Sequence, residues 1–174
     1  LLHFPFHSYD YVLRFFNQAA LDPKVEQIKT TQYRVATNSA VVNALITAAR
    51  NGKKVTVFVE LKARFDEKAN MHFANLMKEA GINVIASIPG LKVHSKAALV
   101  IRKSKKGKKR KALAFVSTGN FNEKTAKQYC DQGFFTSDKG ITSDLEKMFY
   151  YLEAPLEQFN FKNILVPRFN FMKT

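Results

Sequence analysis

A chain of 174 residues that is 46% hydrophobic and 13% aromatic has the material for one buried core, which excludes disorder, and no apolar run approaches the roughly 20 residues that span a bilayer. Its 28 Lys and Arg against 14 Asp and Glu leave a net charge of +14, so partners are sought among polyanions: nucleic acid, nucleotides, acidic lipid or an inorganic polymer. The single cysteine, Cys130, excludes a disulfide framework and a cysteine-rich zinc site, and a reducing compartment is the easier fit.

In chain order, SYDYVLRFFNQAAL, Ser8 to Leu21, sets Val12, Phe15, Phe16 and Ala19 at helical spacing, with Ser8 available as an N-cap. VEQIKTTQYRVA follows as a β-prone segment ending at Ala36. TNSAVVNALITAARNG has capping residues before it and Gly52 at its end, and so reads as a helix. KKVTVFVEL is a Val-rich strand, DEKANMHFANLMKEAG a helix from Asp66 to Gly81, and INVIAS a short strand. Strands alternating with helices predict right-handed crossovers and a parallel sheet covered by helices, with ligands at the carboxyl ends of the strands.

The rhythm then changes. LKVHSKAALVIRK and KALAFVSTGN flank KSKKGKKRK, Lys103 to Lys111, a lysine-rich run that reads as a solvated hairpin loop in preference to a dedicated binding or targeting patch. QYCDQGFFTS reads as a further strand after NEKTAK, a turn that could start a helix, and ITSDLEKMFYYLE places Leu145, Met148, Phe149 and Leu152 on one helix face. The apolar residues of the tail FNFKNILVPRFNFM have no obvious partner in a compact domain, and the chain begins at Leu1 in mid-pattern. The expected organisation is a domain over residues 1–153 and a linker or the start of a next domain over 154–174, within a longer chain.

Chemistry concentrates in PGLKVHSKAALVIRK. In a strand, side chains two apart share a face, so Lys92, His94 and Lys96 are expected together. Like charges disfavour the imidazolium and favour the neutral, nucleophilic ring, while the ammonium groups suit phosphate oxygens. His94 is then either an ordinary exposed histidine beside a basic loop or a phosphoryl acceptor. The downstream STGNFNEKTAKQYCD ends a strand in a small-residue turn at Ser117 to Asn120, where outward backbone amides would suit an anion.

A histidine-x-lysine strand followed by a small-x-asparagine turn resembles the phospholipase D superfamily, with one departure: the aspartate usual five residues after the lysine is Ile101 here. Longer strings carry a narrower resemblance. YRVA (Tyr33 to Ala36), NGKKVTVFVELKARFDEKAN (Asn51 to Asn70), PGLKVHSK and TGNFNEKTAKQYCD together resemble the catalytic core of bacterial polyphosphate kinases of the first type.

The resemblance implies a phospholipase-D-like α/β domain with a mixed, mostly parallel sheet and helices on both faces, the first of two such halves in a longer enzyme. It implies reversible transfer of the terminal phosphate of ATP to inorganic polyphosphate through a phosphohistidine at His94, with Mg2+. The family assigns the arginines matched by Arg34 and Arg64 to magnesium; a guanidinium has no lone pair for a metal, so these are expected to clamp phosphate oxygens beside a magnesium held by phosphate and water. Tyr129 matches a nucleotide-contacting position, and Lys92 belongs with the phosphate-binding residues. Lys96 is expected to neutralise charge on the transferred group, Asn120 and Asn122 to orient it, and Asp131 or Glu123 to stand in for the missing aspartate.

Partners implied are ATP or ADP, polyphosphate and the remaining domains of the longer chain, with homo-oligomerisation of the full-length protein, no specific nucleic acid and no transmembrane segment. The location implied is cytoplasmic, free or at the membrane periphery, and the isolated fragment is expected to be inactive alone. Competing functions are a phospholipase-D-like phosphodiesterase or nuclease and a non-catalytic basic module that binds polyanions. Glu60, Asp66 and Glu67 resemble a carboxylate cluster, although Asp66 and Glu67 also suit a helix start; His3, His7 and His72 lack metal spacing and read as structural.

Overall fold

The computed structural model describes residues 1–36, 38–60, 67–86, 88, 90, 92–104, 110–167 and 169–170. Seven strands are β1 (Leu2–Phe4), β2 (Val25–Gln32), β3 (Lys54–Val59), β4 (Asn83–Ala86), β5 (Lys96–Arg102), β6 (Ala112–Ser117) and β7 (Asp131–Thr136). Four helices are α1 (Asp10–Leu21), α2 (Ala40–Arg50), α3 (Glu67–Glu79) and α4 (Lys139–Glu153), with a 3-10 turn at Thr125–Lys127.

The strands form one sheet in the order β1-β7-β6-β5-β2-β3-β4. β2, β3 and β4 are parallel neighbours, as the alternation of strand and helix predicts. The expected majority of parallel pairings is not found, because β5 lies antiparallel to β2 and the β5-β6-β7-β1 part continues antiparallel. A short lysine-rich connection can return a strand only as a hairpin, so β5 and β6 cannot run parallel.

Both faces are covered. In β5, Ala98 and Val100 join a core with α1 and α2, while Ala97, Leu99 and Ile101 join a second core with α4. The unbroken apolar run AALVI is therefore a central strand buried on two sides, and Ile101, at 1% exposure, has no room for the superfamily's aspartate. Packing, rather than polarity, occupies that position.

Capping follows the sequence with one shift. Ser39 Oγ accepts the Val42 amide at the start of α2, and Asp138 Oδ1 accepts the Ile141 amide at the start of α4. The N-cap of α1 is Tyr9, not Ser8; Ser8 Oγ instead accepts the amide of Asp10 at 3.1 Å. The β-prone segment ends at Gln32, four residues before Ala36, and β1 is a strand the sequence does not signal.

The aromatic tail does find partners. Phe161 is buried in the α4 core, Phe159, Ile164, Val166 and Phe169 pack against it, and Phe169 meets Tyr151 edge-on at 4.9 Å. Asp144 of α4 holds this segment by accepting from the amides of Lys162 and Asn163 at 2.8 and 2.6 Å.

Candidate active site

The mixed topology decides which chain ends meet. β2 and β3 finish where the antiparallel β5 begins and β6 finishes, since Thr30 faces Ala98 and Lys96 faces Ser117. Tyr33 and Arg34 after β2, Glu60 after β3, Lys92 to Lys96 entering β5, Ser117 to Asn122 after β6 and Asp131 opening β7 thus share one end of the sheet.

Lys92 and His94 are not in a strand, contrary to expectation; β5 starts only at Lys96. The grouping survives through side-chain contact. Lys96 is buried, at 5% exposure, and its Nζ lies 3.1 Å from both ring nitrogens of His94 while donating to the His94 carbonyl at 2.8 Å. The loop before β5 is held from two sides: Thr31 Oγ1 donates to the Ser95 carbonyl at 2.7 Å and accepts the Ala97 amide, and Glu60 Oε2 accepts the Val93 amide at 3.3 Å. The Tyr33 ring stands against the His94 ring, centroids 4.7 Å apart and planes at 80°.

His94 is exposed overall, but Tyr33 and Lys96 close one side of the ring. This partial desolvation, ahead of the charges of Lys96, Lys92 and Arg34, holds its pKa below the ordinary 6.5. Lys96 falls to about 8: burial lowers it most, Asp131 opposes the shift, and Arg34 adds to it. Such an arrangement sets an imidazole able to act as a nucleophile beside an ammonium able to bind an anion.

The turn after β6 is stitched to β7. Thr118 N donates to the Gln132 carbonyl, Thr118 Oγ1 donates to Asp131 Oδ1 at 2.8 Å, and Gly119 N donates to Ser117 Oγ at 3.0 Å. A Cβ at Gly119 would stand 2.6 Å from Asp131 Oδ2, so glycine permits this carboxylate's close approach. The expected outward-facing amides are therefore largely engaged within the fold. Asn122 is engaged too, its Oδ1 accepting the amides of Lys124 and Thr125. Asn120 differs, for its Oδ1 is buried without a partner.

Neither candidate for an orienting carboxylate hydrogen-bonds the His94 ring, although the charge of Asp131 acts on Lys96. Asp131 bonds Thr118, and Glu123 Oε1 accepts the Ala40 amide at the start of α2 at 2.8 Å. Among the described residues, the His94 ring hydrogen-bonds only to Lys96. Tyr129 is 57% exposed beside the 3-10 turn and takes no part in the core. Arg34 is half-buried at the end of β2, and Arg64 lies outside the described residues.

Among the described residues no group of three or more His, Cys, Asp or Glu could hold a metal ion. Among the described residues, the charges that act on His94 are the cations Lys96, Lys92 and Arg34, which do not fit a resident magnesium site. Sequence reasoning also missed Tyr33, the role of Glu60 under the loop, and Gln32, whose side-chain amide is buried at 1% exposure with neither polar atom paired. Their signal was position alone, at or just past the ends of β2 and β3. No helix among the described residues is long and apolar enough to cross a membrane.

A family model described as polyphosphate kinase C-terminal domain 1 matches residues 1–158. The polyphosphate kinases of Salmonella typhimurium and Escherichia coli K12 are each 46% identical to this chain over 166 residues, 95% of it and 24% of their own length. The chain thus spans about a quarter of the length of the curated relatives it matches. Among solved structures, the polyphosphate kinase of Porphyromonas gingivalis superposes with a TM-score of 0.88 at 45% identity, covering 99% of this chain and 28% of that one. Nuc of Salmonella typhimurium, a phospholipase D family member, superposes over 87% of this chain and 88% of that one with a TM-score of 0.62 at 14% identity, which establishes the fold. A phospholipase-D-like α/β sheet matched over residues 1–158 by this family's C-terminal domain 1, with 46% identity to its members over 95% of the chain, leaves one assignment: the chain belongs to the polyphosphate kinase family.

Proposed function

We propose that this chain is the half of a polyphosphate kinase active site that carries the nucleophile, and that the full-length enzyme moves the terminal phosphoryl group of ATP to polyphosphate through His94. The observation that carries the reading is the pairing of the His94 ring with the buried ammonium of Lys96 at 3.1 Å, in surroundings that lower the pKa of the ring. In the forward direction a ring nitrogen attacks the γ-phosphorus: an N–P bond forms, the P–O bond to ADP breaks, and ADP leaves with its electron pair. A terminal oxygen of polyphosphate then attacks the phosphohistidine, the N–P bond breaks, and the ring is regenerated neutral.

Little covalent work falls to the protein in such a transfer; position and charge do most of it. Lys96, with Lys92 and Arg34, would receive the phosphoryl oxygens, and the side-chain NH2 of Asn120 would donate to one of them. The buried ammonium cannot stay on both ring nitrogens during attack, so phosphate must draw it aside. Tyr129 would contact the nucleotide, and Arg64 would join Arg34. Magnesium would enter as part of the ATP complex, bound by phosphate and water. The remaining domains would supply the second half of the site, and the full-length protein would act as an oligomer in the cytoplasm.

In the full-length enzyme, terminally labelled ATP should give an acid-labile, alkali-stable phosphoenzyme that disappears in His94→Ala. Equal labelling of both proteins would overturn the histidine mechanism. Cleavage of a bis-nitrophenyl phosphate with ATP left intact would instead indicate a diesterase, and salt-sensitive retention on polyphosphate without labelling a binding module.

A further inference from the structure

Imidazole nucleophiles and bases are ordinarily oriented by a carboxylate or carbonyl on the ring nitrogen that does not react. His94 has none among the described residues: Asp131 bonds Thr118, Glu123 bonds the start of α2, and the residue five beyond Lys96 is the core Ile101. Glu60, the buried carboxylate nearest in sequence to the loop's support, bonds the Val93 amide and so holds main chain.

What does touch the ring is Tyr33. Its ring meets the imidazole at 4.7 Å and 80°, an edge-to-face arrangement that fixes the tilt of both planes. The same ring lies 5.1 Å from the Lys96 ammonium and 5.9 Å from that of Lys92, within the range of cation–π attraction. Tyr33 follows β2 directly, so its backbone is set by a central strand of the sheet. Its hydroxyl makes no hydrogen bond among the described residues, so the ring and not the hydroxyl carries these contacts.

We infer that Tyr33 is the positioning residue of the phosphoryl-transfer site: with no carboxylate hydrogen-bonded to the imidazole, its ring fixes the His94 ring and gathers the Lys92 and Lys96 ammonium groups beside it. The inference rests on the proposed role of His94. A carboxylate there would pair with the lysines and compete with the incoming phosphate, whereas a π face orients the ring and leaves the cations free for anionic substrate.

The test uses the full-length enzyme with Tyr33→Phe and Tyr33→Met, the first keeping the ring and the second only an apolar side chain of comparable reach. Phosphoenzyme formation from labelled ATP is timed by rapid quench, and ATP saturation is read on the same samples. Tyr33→Phe should retain the wild-type rate within about twofold, while Tyr33→Met should slow it about tenfold or more at unchanged half-saturation. An unaltered rate in Tyr33→Met, or an equal loss in Tyr33→Phe, overturns the inference. So does a parallel loss of ATP saturation, which would assign Tyr33 to folding or nucleotide binding. If wild type itself forms no phosphoenzyme, or His94→Ala forms as much, the reading of His94 fails, an outcome distinct from failure of the Tyr33 role.

Discussion

Asp144 and Lys96 are both buried charges, at 1% and 5% exposure, yet their surroundings differ in kind. Burial pushes the Asp144 carboxyl up, but hydrogen bonds from Lys147, Asn163 and Lys162 outweigh it and hold the pKa at about 2. Each of its oxygens is engaged, Oδ1 by Lys147 at 2.8 Å and Oδ2 by two amides and the Asn163 side chain. Lys96 has no ion-pair partner among the described residues and rests on His94, with burial dominating its shift to about 8. A satisfied buried charge is architecture; an under-compensated one at the open end of a sheet is available for chemistry.

The comparison breaks most visibly at Asp144. Asp144→Ala leaves the Lys162 and Asn163 amides without their acceptor and should cost roughly 3 to 5 kcal/mol in urea unfolding, with phosphoenzyme formation per folded molecule unchanged. An unmoved midpoint would show that the tail's anchorage contributes nothing.

Lys96→Met reverses the pattern. Phosphoenzyme formation should fall roughly 10²- to 10³-fold, as when one preorganised donor is removed from a site of developing charge. The melting temperature should hold or rise, because an uncompensated buried ammonium has been replaced by a methyl thioether. A marked fall in melting temperature with activity retained would place Lys96 with Asp144 among the structural charges.

A pH profile sharpens the contrast without mutation. Phosphoenzyme formation should rise through the pKa of His94, below 6.5, and then fall as pH passes about 8, where Lys96 loses its charge. One unit above that pKa about a tenth of the ammonium remains, so the free enzyme should lose roughly tenfold in rate. The stability effect has the opposite sign. Because the folded lysine binds its proton more weakly than the unfolded one, with its ordinary 10.5, the Lys96 contribution destabilises below pH 8 and is relieved as pH rises toward 10.5. Lys96→Met should remove the alkaline limb; its persistence would assign that limb to another group.

Much of the fold was legible. Periodicity located α1, α2 and α4, and the glycines marking turns at Gly52 and Gly81 have φ of 77° and 81°. β1 escaped because Leu2–Phe4 carries too few residues for a period, and the antiparallel half of the sheet because pairing direction leaves no mark on a single strand's composition. The tail's partners escaped because Phe161 packs across a sequence gap onto α4.

Within the candidate site, the division is similar. His94 and Lys96 were legible as neighbours because they are two residues apart, even though the strand expected to align them begins only at Lys96. Asn120 was legible through its small-residue turn, but the turn's amides being engaged with β7 was not. Tyr33, Glu60 and Gln32 could not be read as companions of His94. Chain order separates them from it by 34 to 62 residues, and only the meeting of β2, β3 and β5 brings them to one end.

The sequence by itself determined the residue types, the local elements and the family, because local propensity, short spacings and long matching strings are properties of contiguous chain. The tertiary structure alone decided which charge is satisfied and which is not, and that the Tyr33 ring stands against the His94 ring. Burial, hydrogen-bond saturation and ring contact all depend on residues that the chain order holds apart and the sheet brings together.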